Sequence, residues 1–514
     1  MAWLLSAIFL LPAIMAIPTF YLGRLKDSVA RFLALGTTLV VFLLSILALL
    51  IFMEGEWEWI DLGALPESIT ENDTDNHNGG FQLYTSVKWI EFMGVRYALG
   101  VDGLSLPLVL LTTFVYVASM VASWEIKDRV GTYMAMLLLL ETGIVGTFMA
   151  LDFFLFFICW ELTLVPMYFI IGIWGGPNRE YAAIKFFIYT HIASLILLLG
   201  VIGLYIESIG LNGGTGTFLI PQLMTLPFDG DKNIVKLIFL AFLFGFIVKV
   251  PSVPFHTWLP DAHVEAPTPG SMILAGLLLK MGGYGVLRVG GWILPQTLGE
   301  FDLLIAAIGV VSVVYGSMVA LRQTDMKRLI AYSSIGHMGF VLLGLASQTE
   351  VGFIGANYMQ VAHGVISPLL FFLAGVVLHH AKTREIGQLR GLTKNMPGTA
   401  GVLVFASFAS AGLPGLAGFI AELLVLVGVF DWNRGLAVAA AVGIIVTAAY
   451  YLWMLQRIVF GPKNPELEGV EDASRFEIIT FALLVPAVVI LGLFPFLVID
   501  VMKPASELFA GKFT

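Results

Sequence analysis

Residues 247–285 read IVKVPSVPFHTWLPDAHVEAPTPGSMILAGLLLKMGGYG. Two oily runs, one ending near Lys249 and one holding Lys280, flank a segment punctuated by Pro251, Pro254, Pro260, Pro267 and Pro269. Proline inside a helix removes a backbone hydrogen bond and clashes with the preceding turn, so within a bilayer the freed groups need protein or water around them. The stretch therefore reads as a membrane span broken just after Lys249, a loop carrying His263, and a second span with Lys280 at its middle.

Working outward, two acids stand in equally oily surroundings. Glu161 lies in FFICWELTLVPMYF (156–169) and Glu422 in GLAGFIAELLVLV (415–427). A carboxylate or ammonium at the bilayer centre costs about 2.5–3.5 kcal/mol on insertion scales, so four of them must face protein or water. Helix-to-helix glue is usually Ser, Thr or Asn, whereas full charges of both signs mark an ion or proton path. The segment before Glu422, SAGLPGLAGFIAE (410–422), repeats the first break, with Pro414 among Gly412, Gly415 and Gly418. The two breaks fall in the seventh and twelfth spans. Five spans apart is an odd number, so the second unit is inserted upside down relative to the first, the pattern of an inverted-repeat transporter.

Composition sets the frame. With 58% hydrophobic and 12% charged residues among 514, the chain is far from the soluble average. It is expected to be an all-α polytopic membrane protein of about fourteen spans, with two inverted five-helix repeats and two broken helices. The expected organisation is three N-terminal spans with an acidic external loop (1–130), a first repeat (131–290), an inverted second repeat (302–460), and a last span with a tail (461–514). The N-terminal MAWLLSAIFLLPAIM has no basic residue ahead of it and reads as a span, not a cleaved signal. Lys and Arg, with Arg288 counted after the eighth span and Lys327 after the ninth, favour the loops after odd-numbered spans by roughly two to one, which puts both termini on the external side of a prokaryotic plasma membrane. The acidic run from Glu54 to Asp75 reads as a solvated loop. A single cysteine, Cys159, excludes disulfides within the chain and iron–sulfur ligation by it alone.

Histidines accompany the charges. His256 follows the first break, His263 lies in the loop, His337 sits in RLIAYSSIGHMGF and His363 in MQVAHGVISPLL. Aligned between a Lys and a Glu, they read as a relay, because imidazole exchanges protons near neutral pH. His379 and His380, beside Lys382 and Arg384, read as a solvated rim. No nucleotide-binding loop, clustered metal spacing or haem-ligand pattern is present, so no cofactor and no metal are expected in this chain.

Over residues 95–460 the stretches VKVPSVPFHTWLPDAHVEAPTPGSMILAGLLLK, LRQTDMKRLIAYSSIGHMGF, FASAGLPGLAGFIAELL and WELTLVPMYFIIGIWG resemble the antiporter-like membrane subunits of respiratory complex I and its relatives. Within that family the L-type, N-type and cation-antiporter relatives usually carry Lys in the twelfth span. The M-type carries Glu, as here at Glu422. The resemblance implies that Glu161 and Lys249 form an acid–base pair, Lys280 is the central connector, and His337 and His363 lead to Glu422 as the terminal proton site. Glu125 matches a further acid at the cytoplasmic edge, and His256 and His263 are additional candidates; Glu141 in the fourth span is left without an assigned role. It further implies a proton-translocating subunit with no redox cofactor of its own. The partners implied are other antiporter-like and quinone-site membrane subunits, a peripheral iron–sulfur and flavin arm, and lipid, without nucleic acid. The alternatives are a subunit of a multisubunit cation/proton antiporter and the membrane module of a membrane-bound hydrogenase.

Overall fold

Apolar runs in hydrocarbon have no backbone partner but their own helix. The computed structural model describes residues 3–53, 81–228, 232–462, 464–467 and 469–513, and is helical almost throughout. Helices α1 (Trp3–Gly23) and α2 (Asp27–Phe52) precede an antiparallel hairpin, β1 (Gln82–Ile90) and β2 (Val95–Val101). Then come α3 (Leu106–Ala122), α4 (Val130–Met149), α5 (Phe153–Leu162), α6 (Leu164–Trp174), α7 (Arg179–Leu211) and the short α8 (Ile220–Leu223). The first broken span is α9 (Lys232–Lys249) with α10 (Trp258–Glu265). The next is built from α11 (Thr268–Ile273) and α12 (Leu279–Arg288), joined through a π-helical segment at 274–278. After α13 (Pro295–Glu300) follow α14 (Asp302–Leu321), α15 (Met326–Ala346), α16 (Glu350–Ala381) and α17 (Leu392–Asn395). The second broken span is α18 (Pro397–Ser410) with α19 (Ala417–Trp432), and the chain ends in α20 (Arg434–Ile458), α21 (Arg475–Leu493) and α22 (Phe496–Ala510).

Among the described residues, twelve helices are long and apolar enough to cross a membrane, against the fourteen spans expected. The difference lies at the two breaks, whose helices are too short or too charged to qualify as continuous spans. The centre of the bundle is α11–α12, α15 and α16, which are buried nearly all round, while α2, α7 and α20 turn Leu43, Leu199 and Ile445 outward. An apolar exterior around a polar-lined interior is what a lipid solvent selects.

Three local devices set the site. In the fifth span Pro166 cannot donate to the carbonyl of Leu162, and the helix breaks at Thr163, two residues past Glu161. Gly282 lets α12 press on the end of α9, where a Cβ would meet the Phe246 carbonyl at 2.7 Å. Asp152 caps α5 by accepting from Phe154 and Leu155 backbone N–H, and also accepts from Arg96 N at 2.9 Å, tying β2 to the fifth span. Burial pushes its carboxyl pKa up to about 6 against those hydrogen bonds.

The hairpin is a small two-stranded addition to a fold that is all-α as expected, and the acidic run Glu54–Asp75 lies outside the described residues. Arg288, counted with the loop charges in the orientation argument, is instead buried at the end of α12. It forks onto Asp102 at 2.6 and 2.8 Å and is enclosed by the rings of Phe81, Tyr284 and Trp292. Burial alone would raise the Asp102 pKa, but the guanidinium overrides it and holds the carboxyl below its usual value. Lys327 is likewise buried and donates to the Ala266 carbonyl at 2.6 Å. One basic residue thus leaves each side of the orientation count.

Candidate functional site

At the first break, Lys249 is the last residue of α9, where the carbonyl ends of the helix favour a cation. Its side chain is buried, and among the described residues Nζ meets no hydrogen-bond partner. What faces it is aromatic: the ring centre of Trp160 lies 5.2 Å away and that of Phe186 6.0 Å. Trp160 is fixed by its own N–H, which donates to Ser194 Oγ at 2.9 Å. The carbonyl of Val248, freed by the break, accepts from Trp258 Nε1 at 3.0 Å, so a neighbouring side chain satisfies the interrupted backbone.

Glu161 follows Trp160, but its carboxylate turns to α7, with Oε2 3.1 Å from His191 Nδ1. No ion pair links it to Lys249 among the described residues, and Glu161 Oε1 meets no hydrogen-bond partner there. The acid–base pair implied by the sequence is open, and a third residue holds the acid. Sequence reasoning passed over His191, although an imidazole in the apolar run IKFFIYTHIASL gives the same signal as the histidines it chose.

The central and second-half residues do meet. Lys280 Nζ lies 2.6 Å from the Ala275 carbonyl, within the π-helical segment, and 2.6 Å from His363 Nδ1. An ammonium only donates, so with Lys280 charged the His363 ring accepts at Nδ1 and carries its proton on Nε2. The rings of His363 and His337 stand 5.4 Å apart. His337 places Nδ1 2.9 Å from the Ser333 carbonyl and Nε2 3.0 Å from the Ser410 carbonyl, with Glu422 Oε1 at 3.9 Å. Ser410 ends α18, so the carbonyl that the second break frees is taken by the histidine. A neutral imidazole can donate to only one of these carbonyls; the imidazolium donates to both. A proton arriving at His337 is therefore received by two carbonyls and a nearby carboxylate.

Glu422 is buried in the second turn of α19, and helical side chains lean toward the helix N-terminus, here toward the break. Its carboxylate reaches Gly412, whose φ of +76° suits glycine and where a Cβ would come within 2.3 Å of Oε2. Tyr451 closes the other side, accepting from Ser410 Oγ at 2.8 Å and donating to Ser333 Oγ at 3.0 Å.

The remaining candidates scatter. His263 is fully buried and stacked on Phe371 at 4.2 Å, and neither ring nitrogen has a partner among the described residues. His256 sits against Tyr315 and Tyr332. Glu141 is buried in α4 without a hydrogen-bond partner among the described residues. Glu125 lies apart from the row, at a rim beside His379. Pro251, Pro254 and Pro414 stand in the turns between the paired helices, as the breaks require.

A helical membrane bundle with two interrupted spans, each presenting a charge to a buried titratable row, defines the antiporter-like class of transmembrane subunit. The chain belongs to the NADH:quinone oxidoreductase/Mrp antiporter transmembrane family, whose family model matches residues 150–447. It is 41% identical to F(420)H(2) dehydrogenase subunit M of Methanosarcina mazei, over 98% of this chain and 97% of that one. It is 40% identical to NADH-quinone oxidoreductase subunit M of Rhodobacter capsulatus, over 98% of this chain and 95% of that one. Among solved structures, a chain of respiratory complex I from Thermus thermophilus with bound NADH superposes with a TM-score of 0.85 at 28% identity, covering 99% of this chain and all of that one.

Proposed function

We propose that this chain is the M-type proton-translocating subunit of the membrane arm of a complex I-like oxidoreductase, and that it moves protons through Glu161, Lys249, Lys280, His363, His337 and Glu422 without binding a redox cofactor. The observation that carries the reading is the contact series Lys280–His363–His337–Glu422, which joins the two halves of the bundle through groups that all exchange protons. The partners are the neighbouring antiporter-like and quinone-site subunits and a peripheral electron-transfer arm. The setting is a prokaryotic plasma membrane, with both termini on the external side.

Glu161 acts as the switch in this mechanism. Against His191, it leaves Lys249 with only ring faces for its charge; against Lys249, it forms a buried ion pair. Two unit charges about 4 Å apart at an effective dielectric of about 20 interact by about 4 kcal/mol. Moving one proton against about 180 mV needs about 4 kcal/mol, at ~2.3 kcal/mol per 100 mV. Making and breaking one such pair therefore matches the work of one proton, and the proton released from Lys249 passes toward Lys280 and the histidines.

The test is Lys249→Ala in the assembled complex, reconstituted into sealed vesicles. Pumping should fall by about 100-fold or more, the scale of a lost proton-transfer group, while electron transfer from donor to an artificial acceptor persists. Full pumping would sink the assignment, and pumping that instead tracks sodium would favour a cation/proton antiporter.

A further inference from the structure

Away from the buried row, three segments distant in sequence meet at one rim of the bundle: the turn Ser123–Glu125 after α3, the last turn of α16 and the first turn of α21. They bring together two imidazoles and two carboxylates. His379 Nδ1 lies 3.0 Å from Glu125 Oε2 and 3.4 Å from Glu477 Oε1, and His380 Nε2 lies 2.9 Å from Glu477 Oε2. The donor atoms of His379, His380 and Glu477 all fall within 4.8 Å of one another.

Four donors set tetrahedrally at about 2.0–2.1 Å around a zinc ion stand about 3.3 Å from each other. The two imidazoles lie 3.4 and 2.9 Å from the two oxygens of Glu477, near that value, so one carboxylate stands between them. The carboxylates are also held from behind, as ligands of a metal usually are. Ser474 N–H donates to Glu477 Oε2 at 2.6 Å within the capping box of α21, and Ser474 Oγ donates to Glu125 Oε1 at 3.4 Å. Glu477 is buried and His380 partly so, while His379 and Glu125 are open to solvent, which gives an ion a way in. Mixed imidazole and carboxylate donors suit zinc or a similar transition ion; calcium and magnesium prefer oxygen alone.

We propose that His379, His380 and Glu477, with Glu125 drawn in as the fourth donor from its place beside His379, form a binding site for a zinc-like divalent cation that clamps the ends of the third, eleventh and last spans together. The four residues are spread from Glu125 to Glu477, so no sequence spacing announces them.

The test uses the intact purified complex, stripped with a chelator and titrated with zinc chloride against a chromophoric competitor. Wild type should bind one more zinc equivalent than His379→Gln or His380→Gln, each variant losing about 100-fold or more in affinity at that site. X-ray absorption at the zinc edge should show imidazole scattering from the extra equivalent. Glu477 caps α21, so it is left intact; His379 is exposed, and its replacement spares the fold. Equal zinc binding by wild type and both variants, or a shell of oxygen donors only, would overturn the proposal.

Discussion

The two broken spans solve one problem with opposite chemistry. At the first, the charge ends a helix and is cationic: Lys249 closes α9, near carbonyl ends, against the rings of Trp160 and Phe186. At the second, the charge follows the break and is acidic: Glu422 leans back along α19 to Gly412, within 3.9 Å of His337. Each sign suits its helix end, since carbonyl ends attract cations and N–H ends attract anions. The difference lies in the partners. Glu422 stands beside a hydrogen-bonded group that runs from His337 through Ser410 to Tyr451, approaching His337 at 3.9 Å, whereas Lys249 has no hydrogen-bond partner among the described residues and its acid is held by His191. In the proposed mechanism the first break changes partners and the second holds a proton in place.

The strongest way to break this contrast is at the second site. Glu422→Gln removes the titratable acid and should cost roughly 100-fold or more in coupled turnover, while Glu422→Asp, one methylene shorter, should keep part of it. Turnover and pumping in vesicles, with assembly checked separately, measure this. Normal pumping by Glu422→Gln would place the terminal site elsewhere.

The first site is sharpened by a double-mutant cycle. Glu161→Gln should lower coupled turnover about tenfold or more, equivalent to ~1.4 kcal/mol or more. His191→Gln frees Glu161 to stay with Lys249 and should slow turnover less, and the double variant should match Glu161→Gln alone. Additive losses would mean that His191 acts independently of the acid.

The smallest effect is expected at Gly412. An alanine there must adopt a positive φ and press on the Glu422 carboxylate, at a cost of about 1–3 kcal/mol. Most of that cost falls on stability, so Gly412→Ala should reduce pumping by about tenfold at most, with Gly415→Ala as the comparison, since a Cβ at Gly415 meets only Leu493 at 3.9 Å. Equal effects would show that backbone strain, and not the carboxylate, is what matters.

What the sequence displayed and what it hid divide by range. A charge in an oily run and a proline or glycine at its middle are local signals, so Glu161, Lys249, Lys280, Glu422 and both breaks could be read directly. Which partner Glu161 takes could not, because His191 lies thirty positions on in another helix. Arg288 was assigned to a loop because its partner Asp102, 186 positions away, is brought to it only by the fold. The π-helical segment that turns the Ala275 carbonyl onto Lys280 leaves no compositional mark, and the ligands at the Glu125 rim come from three segments. Local chemistry announces where charge must sit; tertiary packing decides what it touches.

Lys280 carries the titratable row from the first half of the bundle onto His363, so the most direct measurement is the number of protons pumped per donor oxidised by an assembled Lys280→Met complex in sealed vesicles. Methionine keeps most of the side-chain volume and removes the proton carrier between Lys249 and His363. The ratio should drop by the share this subunit carries, with transfer to an artificial acceptor retained. A ratio equal to wild type would contradict proton passage through the Lys280–His363 contact.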